Sequence, residues 1–210
     1  MLRKLPIVGV FGQGTPVDRD RAALARATGA LVARLGAHLL TGGGYGIMSA
    51  AAEGFVAVPN REGLSIGIVP RLAAGAFDEP NRGPDGEPYP NPFVEIAVMT
   101  PLPPRTEEWR SVPSRNHVNV LTAHAILALP GGKGTHNELA MAAAYQGETG
   151  QPPEARHTVL LGPREEFLPE HLASFIHAAT LDEAEQYLLR ILRREGFSVN
   201  HRTSIRHAAS

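Results

Sequence analysis

Three glycine clusters, each placed after a short apolar run and before a helix-like stretch, constrain the fold of this chain more than any other feature. The clusters lie at residues 9–14, 42–46 and 131–134. Short, largely apolar runs of this kind are typical of strands that are buried on both faces of a sheet. The repeated order of strand, glycine turn and helix therefore predicts an α/β fold, an open parallel sheet with helices on both faces.

The other apolar and amphipathic segments continue this alternation. We expect strands at residues 7–11, 37–40, 65–69, 94–99, 125–129 and 158–161, and helices at residues 19–35, 137–146 and 181–194. A length of 210 residues favours a single domain, which we place at residues 1–196, with a polar tail at 197–210. A proline-rich excursion at residues 77–104 is either a plain connecting loop or a wall or lid over the site.

Composition excludes several classes of function. The chain has no cysteine, which excludes thiolate zinc sites and cysteine nucleophiles and fits a reducing cytoplasm. A formal net charge of −1 lacks the basic excess of nucleic-acid binding, so we expect no nucleic-acid partner. The first apolar run is too short for a signal or a membrane helix, which predicts a soluble cytoplasmic protein without a membrane partner. The spacing of His117, His124 and His136 matches no zinc motif, so we expect no metal.

The glycine loops predict an anion-binding site at one edge of the sheet. Glycine turns at the start of helices bring bare backbone N–H groups, and a partial positive charge, against a ligand. Neither GVFGQG nor TGGGYG has the dinucleotide spacing, and GGKGT lacks the Walker A order. The residues that we expect to hold a phosphorylated ligand are Gly12, Gly43, Gly44, Gly131, Gly132, Gly134 and Thr135. Two further residues, Tyr45 and Met48, either pack in the core or line a purine base.

The third glycine loop also carries a family resemblance. LALPGGKGTHNELAMA, at residues 127–142, resembles the P-G-G-x-G-T-x-x-E signature of the LONELY GUY (LOG) family. TGGGYGIMSAA at 41–51 and GLSIGIVP at 63–70 are similar to other segments of that family. The resemblance implies a Rossmann-like fold and a homodimer. It also implies hydrolysis of a purine, possibly cytokinin-type, nucleoside 5′-monophosphate to free base and ribose 5-phosphate, without a cofactor.

The resemblance implies a catalytic pair as well. The signature glutamate is Glu138, and the best match to the family's arginine is Arg115. Where the enzymes typically have Arg-Lys and Glu-Glu, this chain has Arg115-Asn116 and Asn137-Glu138. An Arg-Asn pair is more similar to a sister branch that contains molybdenum-cofactor carriers. The alternative function is therefore a binding or carrier protein for a phosphorylated ligand, such as a nucleotide or the molybdenum cofactor.

The residues themselves leave alternatives for both members of this pair. Thr135 followed three residues later by Glu138 fits a helix capping box. The same carboxylate could instead face a ribose and stabilise the positive charge that grows as the glycosidic bond breaks. Arg115 could bind a phosphate or ribose oxygen, or form a surface ion pair. Near it in the sequence lie two rival arginines, Arg105 and Arg110, and two possible ion-pair partners, Glu107 and Glu108.

Overall fold

A parallel sheet, with seven strands among the described residues, forms the centre of the protein. The computed structural model describes residues 4–70, 86–145, 147, 150, 152 and 155–199. The strands are β1 Ile7–Phe11, β2 His38–Thr41, β3 Ser65–Pro70, β4 Ile96–Thr100, β5 Ala125–Ala128, β6 Thr158–Leu161 and β7 Ile176–Ala178. Their order in the sheet is β4-β3-β2-β1-β5-β6-β7, and every pairing is parallel. The chain adds strands outward from β1 on one side and then from β5 on the other, so the switch point lies between β1 and β5.

In the described part of the chain, six helices cover both faces of this sheet, which confirms the predicted fold class. They are α1 Arg19–Arg34, α2 Ile47–Val56, α3 Arg115–Thr122, α4 Lys133–Tyr145, α5 Pro169–Ser174 and α6 Leu181–Arg194. One apolar cluster joins α1, α2 and α6 to one face of the sheet, and a second cluster joins α3, α4 and α5 to the other. Among the described residues, no helix has the length and apolar character needed to cross a membrane.

Two glycines bring α1 and α2 into direct backbone contact. A Cβ atom at Gly29 would overlap the carbonyl oxygen of Ala51, and one at Gly54 would overlap that of Arg26. No larger residue fits at either position without separating the helices. Because α2 begins directly after the second glycine cluster, this contact also fixes where that cluster lies above the sheet.

The structure corrects the sequence interpretation at β4 and α4. The run at 94–99 was expected to be buried on both faces, but β4 is an edge strand, and Ile96, Val98 and Met99 are each more than 40% exposed. An edge strand has a neighbour on one side only, so apolar sequence alone did not reveal its position. Helix α4 begins at Lys133 rather than at residue 137, since the first helical turn already includes the end of the third glycine cluster.

The described residues include only parts of the excursion and the tail. Residues 71–85 and 200–210 lie outside the described part of the chain. Of the residues that the sequence assigned to the tail, Val199 is buried in the core and the Phe197 ring contacts His124 at 4.7 Å between centroids. Residues 197–199 therefore pack on the domain.

Candidate functional site

The loops that follow β1, β2 and β5 meet at the carboxyl edge of the sheet, beside the switch point. The Ile47 backbone N–H donates to the Gln13 carbonyl oxygen at 2.9 Å, which joins the first loop to the second. A Cβ at Gly131 would lie 2.9 Å from the Gln13 backbone nitrogen, so the first loop also touches the third. We call the region formed by residues 12–14, 42–46 and 131–135 the glycine cleft. Open α/β sheets bind their ligands at this position.

At two positions of the cleft, Gly132 and Gly134, neither the backbone conformation nor the packing requires a glycine. A Cβ at Gly132 or Gly134 would meet no atom within 4 Å, and neither residue has a positive φ. By contrast, Gly43 and Gly46 have φ values of +72° and +64°, which side chains rarely adopt. The open space before Gly132 and Gly134 can therefore admit a ligand against the bare backbone.

The first turn of α4 supplies hydrogen-bond donors to this space. Its leading N–H groups have no partner within the helix, and the helix dipole places partial positive charge there. Thr135 is only 3% exposed, and its hydroxyl has no hydrogen-bond partner among the described residues. The capping-box interpretation of Thr135 is wrong, because this residue lies inside the first turn of α4 rather than ahead of it. The amides and the hydroxyl are free to bind an oxyanion.

Glu138 lies one turn further along α4 and is buried. Its Oε1 accepts a hydrogen bond of 2.8 Å from the Asn119 side-chain amide on α3. Burial raises the pKa of Glu138, while the Arg115 guanidinium and the Asn119 hydrogen bond act in the opposite direction. A carboxyl group under such opposed influences can exchange a proton during a reaction.

Arg115 is the first residue of α3, and its guanidinium reaches across to the second glycine loop. A Cβ at Gly42 would overlap Nη1 of Arg115, so a glycine is needed there to admit the side chain. The Nε atom of Arg115 is buried and has no hydrogen-bond partner among the described residues. Arg115 therefore lies in the cleft with an unused donor.

The start of α3 holds Arg115 firmly in place. The Ser114 N–H donates to Nδ1 of His117 at 2.9 Å, which leaves Nε2–H of His117 to donate to the Trp109 carbonyl at 2.8 Å. The capping box and the hydrogen bond to Trp109 together occupy both ring nitrogens of His117, so the residue is structural. Within the described chain no group of three His, Cys, Asp or Glu side chains is arranged to hold a metal ion.

The possible ion-pair partners of Arg115 and the two rival arginines lie outside the cleft. In the described part of the chain, Arg115 forms no ion pair with Glu107 or Glu108, which are both exposed. Arg105 is also exposed, and the Arg110 guanidinium stacks on the Trp109 ring at 4.4 Å from its centroid. Of the three arginines, only Arg115 lies against a glycine loop.

A short part of the proline-rich excursion forms one wall of the cleft. We call residues 88–91 the strap. The Tyr89 O–H donates to the Gly42 carbonyl, and the Asn91 side-chain amide donates to the carbonyls of Gly43 at 3.1 Å and Gly44 at 2.7 Å. The backbone N–H of Asn91 also donates to Gly43, at 2.8 Å. The strap thus holds three successive carbonyl groups of the second glycine loop.

This grip sets the direction of the loop's N–H groups. In a trans peptide the carbonyl and the N–H point in opposite directions, so fixing the carbonyls of Gly43 and Gly44 turns the next two N–H groups away from the strap. Within the described chain, the N–H groups of Gly44 and Tyr45 have no hydrogen-bond partner. The strap therefore presents them as free donors.

Tyr89 interacts electrostatically with both members of the predicted pair, Arg115 and Glu138. Burial raises the pKa of its phenol, Arg115 lowers it, and the Glu138 carboxylate raises it further. No motif in the sequence singled out Tyr89 or Asn91, because their proline-rich surroundings have no periodic pattern.

The two residues with open interpretations, Tyr45 and Met48, both line the cleft. The Tyr45 O–H donates to the Pro88 carbonyl at 2.6 Å, which attaches it to the strap. The Met48 methyl group would lie 2.7 Å from a Cβ at Gly44 and 3.2 Å from one at Gly14. Met48 therefore lies between the first and second loops, and both side chains offer apolar surface beside the space in front of the loops.

Comparison with known proteins identifies the family to which this sequence belongs. The model of the SLOG cluster4 family matches residues 5–150. The chain belongs to the SLOG cluster4 family. This agrees with the LOG-like resemblance of the glycine signature.

Relatives of this SLOG chain include proteins of stated and of unknown function. An uncharacterized protein of Archaeoglobus fulgidus is 29% identical over 139 residues, which is 66% of this chain and 74% of the relative. The molybdenum cofactor binding protein of Rippkaea orientalis is 27% identical with a TM-score of 0.63, over 90% of this chain and 98% of its own. The molybdenum cofactor carrier protein of Chlamydomonas reinhardtii is 24% identical with a TM-score of 0.62, over 90% and 99%, and supports the shared fold.

The two positions that depart from the LOG enzyme pattern contact each other in this SLOG fold. The Asn116 amide on α3 donates to the Asn137 side-chain oxygen on α4 at 3.1 Å. Asn137 in turn donates to the Thr106 carbonyl at 3.0 Å. A neutral amide pair thus occupies the α3–α4 contact next to Arg115 and Glu138, without displacing either of them from the cleft.

Proposed function

We propose that this SLOG protein binds a purine nucleoside 5′-monophosphate in the glycine cleft and hydrolyses its N-glycosidic bond. The products are free base and ribose 5-phosphate. The observation that carries the proposal is that the free helix terminus of α4 opens into the same cleft as the buried Glu138 and Arg115. An anion site and an acid–base group are thus held on one rigid pair of helices.

The phosphate fits the start of α4. Its oxygens would accept from the N–H groups of residues 132–135 and from the Thr135 hydroxyl, and the missing side chains of Gly132 and Gly134 allow this close approach. The phosphate does not react, but its binding energy would hold the sugar in the position that the reaction at C1′ needs.

Glu138 and Arg115 would then act on the ribose. The C1′–N bond breaks and its electron pair goes to the base nitrogen, while a water oxygen bonds to C1′. Ionised Glu138 accepts a proton from that water and stabilises the positive charge on the sugar. At ~4 Å and an effective dielectric constant near 20, the attraction is about 4 kcal/mol, or roughly a thousandfold in rate. Arg115 would bind a ribose or phosphate oxygen through its free N–H, with Tyr45 and Met48 beside the base.

A second candidate function is a carrier that binds a phosphorylated ligand without turnover. Two observations favour it: the molybdenum cofactor binding protein of Rippkaea orientalis at 27% identity, and the neutral Asn116–Asn137 pair where LOG enzymes typically have charged residues. Both functions use the same anion site at α4. They differ in whether Glu138 acts on a bond.

We also propose a homodimer, as the LOG resemblance implies. Ile96 and Val98 on β4 pair with Ile66 and Ile68 on β3 and are each 41% exposed, and Leu121 on α3 is 62% exposed. This apolar surface is suited to a second copy of the chain. Light scattering should give about twice the mass of one chain, and a single-chain mass at micromolar concentration would contradict the dimer.

Turnover can be tested with purified protein incubated with AMP and with N6-modified AMP, followed by chromatography of the free base. We expect Glu138→Gln to lower kcat roughly a thousandfold, since the carboxylate charge is lost while the shape is kept. Glu53→Gln is a matched control, because Glu53 forms an exposed ion pair with Arg26 at 2.7 Å.

The outcomes separate the two functions. Unchanged base release by Glu138→Gln would contradict the assignment of this residue. No release by the native chain, together with a phosphorylated ligand that remains bound in native mass spectrometry, would favour the carrier.

A further inference from the structure

Asn119 is an unusual residue to find in the core of α3. It is fully buried, and its Nδ2 donates to the Glu138 carboxylate at 2.8 Å. The other atom of its amide, Oδ1, has no hydrogen-bond partner among the described residues. A buried carbonyl without a donor is unfavourable, and an apolar residue of similar size would avoid that cost. Packing alone therefore does not explain an asparagine here.

The position of Asn119 on its helix links it to the site. It follows Arg115 by four residues, so both side chains lie on the same face of α3. That face is directed at Glu138, which receives a hydrogen bond from Asn119 and the electrostatic influence of Arg115. Besides Arg115, Glu138 faces one more titratable group among the described residues, Tyr89, which belongs to the strap.

We propose that Asn119 is a positioning residue that holds the Glu138 carboxyl group in both its ionised and its protonated forms. The inference rests on the proposed function, in which Glu138 takes a proton from the attacking water and later releases it to the base or to solvent. An ionised carboxylate only accepts hydrogen bonds, and the Asn119 side-chain N–H group donates one to it. A protonated carboxyl group donates, and rotation of the amide by a half turn would bring the unpaired Oδ1 to receive it.

An asparagine suits this task better than the alternatives. Arginine or lysine in its place would donate only, and would favour the ionised carboxylate alone. Leucine would offer no partner to either form. Because Asn119 is fully buried behind Glu138, it has no route to touch a ligand, and its effect should appear in turnover rather than in binding.

The test compares Asn119→Leu with Asn116→Leu, a matched substitution on the same helix at an asparagine that pairs with Asn137 instead of Glu138. The Glu138 carboxyl is titrated by carbon-13 NMR in glutamate-labelled protein, and its signal is identified by its absence in Glu138→Gln. We expect Asn119→Leu to raise the pKa of Glu138, because the charge-assisted hydrogen bond that the ionised form loses is stronger than the neutral one that the protonated form loses. Asn116→Leu should leave that pKa in place. A pKa of Glu138 that is unchanged in Asn119→Leu, or raised equally in Asn116→Leu, would overturn the proposal.

The isosteric variant Asn119→Asp provides a second test that does not depend on tolerance of leucine. A second carboxyl group beside Glu138 should raise the pKa of the pair, because two adjacent carboxylates resist ionising together. In active protein we expect both Asn119 variants to lower kcat about tenfold or more, to move the acid limb of the pH–rate profile upward, and to leave KM for AMP within about threefold. A change confined to KM would contradict a positioning role. The NMR titration needs no turnover, so it decides this inference even if the native chain hydrolyses nothing.

Discussion

At the scale of single residues, the cleft contains groups that the fold alone would not retain. Glu138 is a buried carboxyl group whose pKa is raised chiefly by burial. Thr135 and Arg115 each keep a buried polar atom without a partner among the described residues. Each of these features costs stability, which is typical of a site preserved for binding or catalysis.

The pH dependence of the free energy of unfolding should show how much the buried Glu138 destabilises the fold when it ionises. Because its folded pKa lies above its unfolded pKa, its contribution to stability is fully present below the unfolded pKa and is lost as the pH rises through the folded one. We therefore expect Glu138→Gln to be more stable than the native chain at pH 8, with a smaller difference at pH 4. Urea unfolding at both pH values measures this. A variant that loses more stability at pH 8 than at pH 4 would show that Arg115 outweighs burial.

Much of the site at this scale could be predicted from the sequence, and part of it could not. The nine-residue signature located Glu138, and the arginine that precedes β5 was found as Arg115; both lie in the cleft. Asn119 was missed, although its position four residues after Arg115 on one helix face is a signal that could have found it. Tyr89 and Asn91 give no such signal, because tertiary hydrogen bonds from a segment without periodicity place them.

At the scale of elements, the cleft is an arrangement of loops held by packed helices and by the strap. The alternation of apolar runs and glycine turns predicted six of the seven strands, because buried parallel strands have a clear apolar pattern. β7, with three residues, is too short for such a pattern. The edge position of β4 depends on what packs beside it, and local sequence does not record this.

The strap should control ligand affinity through the second glycine loop. We expect Asn91→Ala to weaken AMP binding about tenfold, because the Gly44 carbonyl loses its side-chain donor, the Gly43 carbonyl keeps only the backbone N–H of residue 91, and the opposing N–H groups are held less firmly. Isothermal titration calorimetry measures the affinity. Asn60→Gly is a suitable control, since Asn60 lies in an exposed turn with a φ of 54° that glycine tolerates. Equal affinity in Asn91→Ala and the native chain would show that the strap is only a connection.

At the scale of the whole molecule, the fold brings the three glycine loops to one end of the sheet. The backbone contact between α1 and α2 sets the second loop, and the capped start of α3 sets Arg115 against it. At the opposite edge lies a hollow lined by Lys4, His124 and Glu195, which has none of these glycine turns. We therefore expect the ligand to bind at the carboxyl edge.

The most direct test follows backbone amide signals by nitrogen-15 NMR while AMP or adenosine is added to the native chain. We predict that AMP shifts the amides of residues 131–135 strongly and those of residues 12–14 and 42–45 as well. Adenosine, which lacks the phosphate, should leave the signals of 131–135 nearly unchanged. If AMP instead shifted residues around Lys4, His124 and Glu195, or left the amides of 131–135 in place, the glycine cleft would not be the phosphate site.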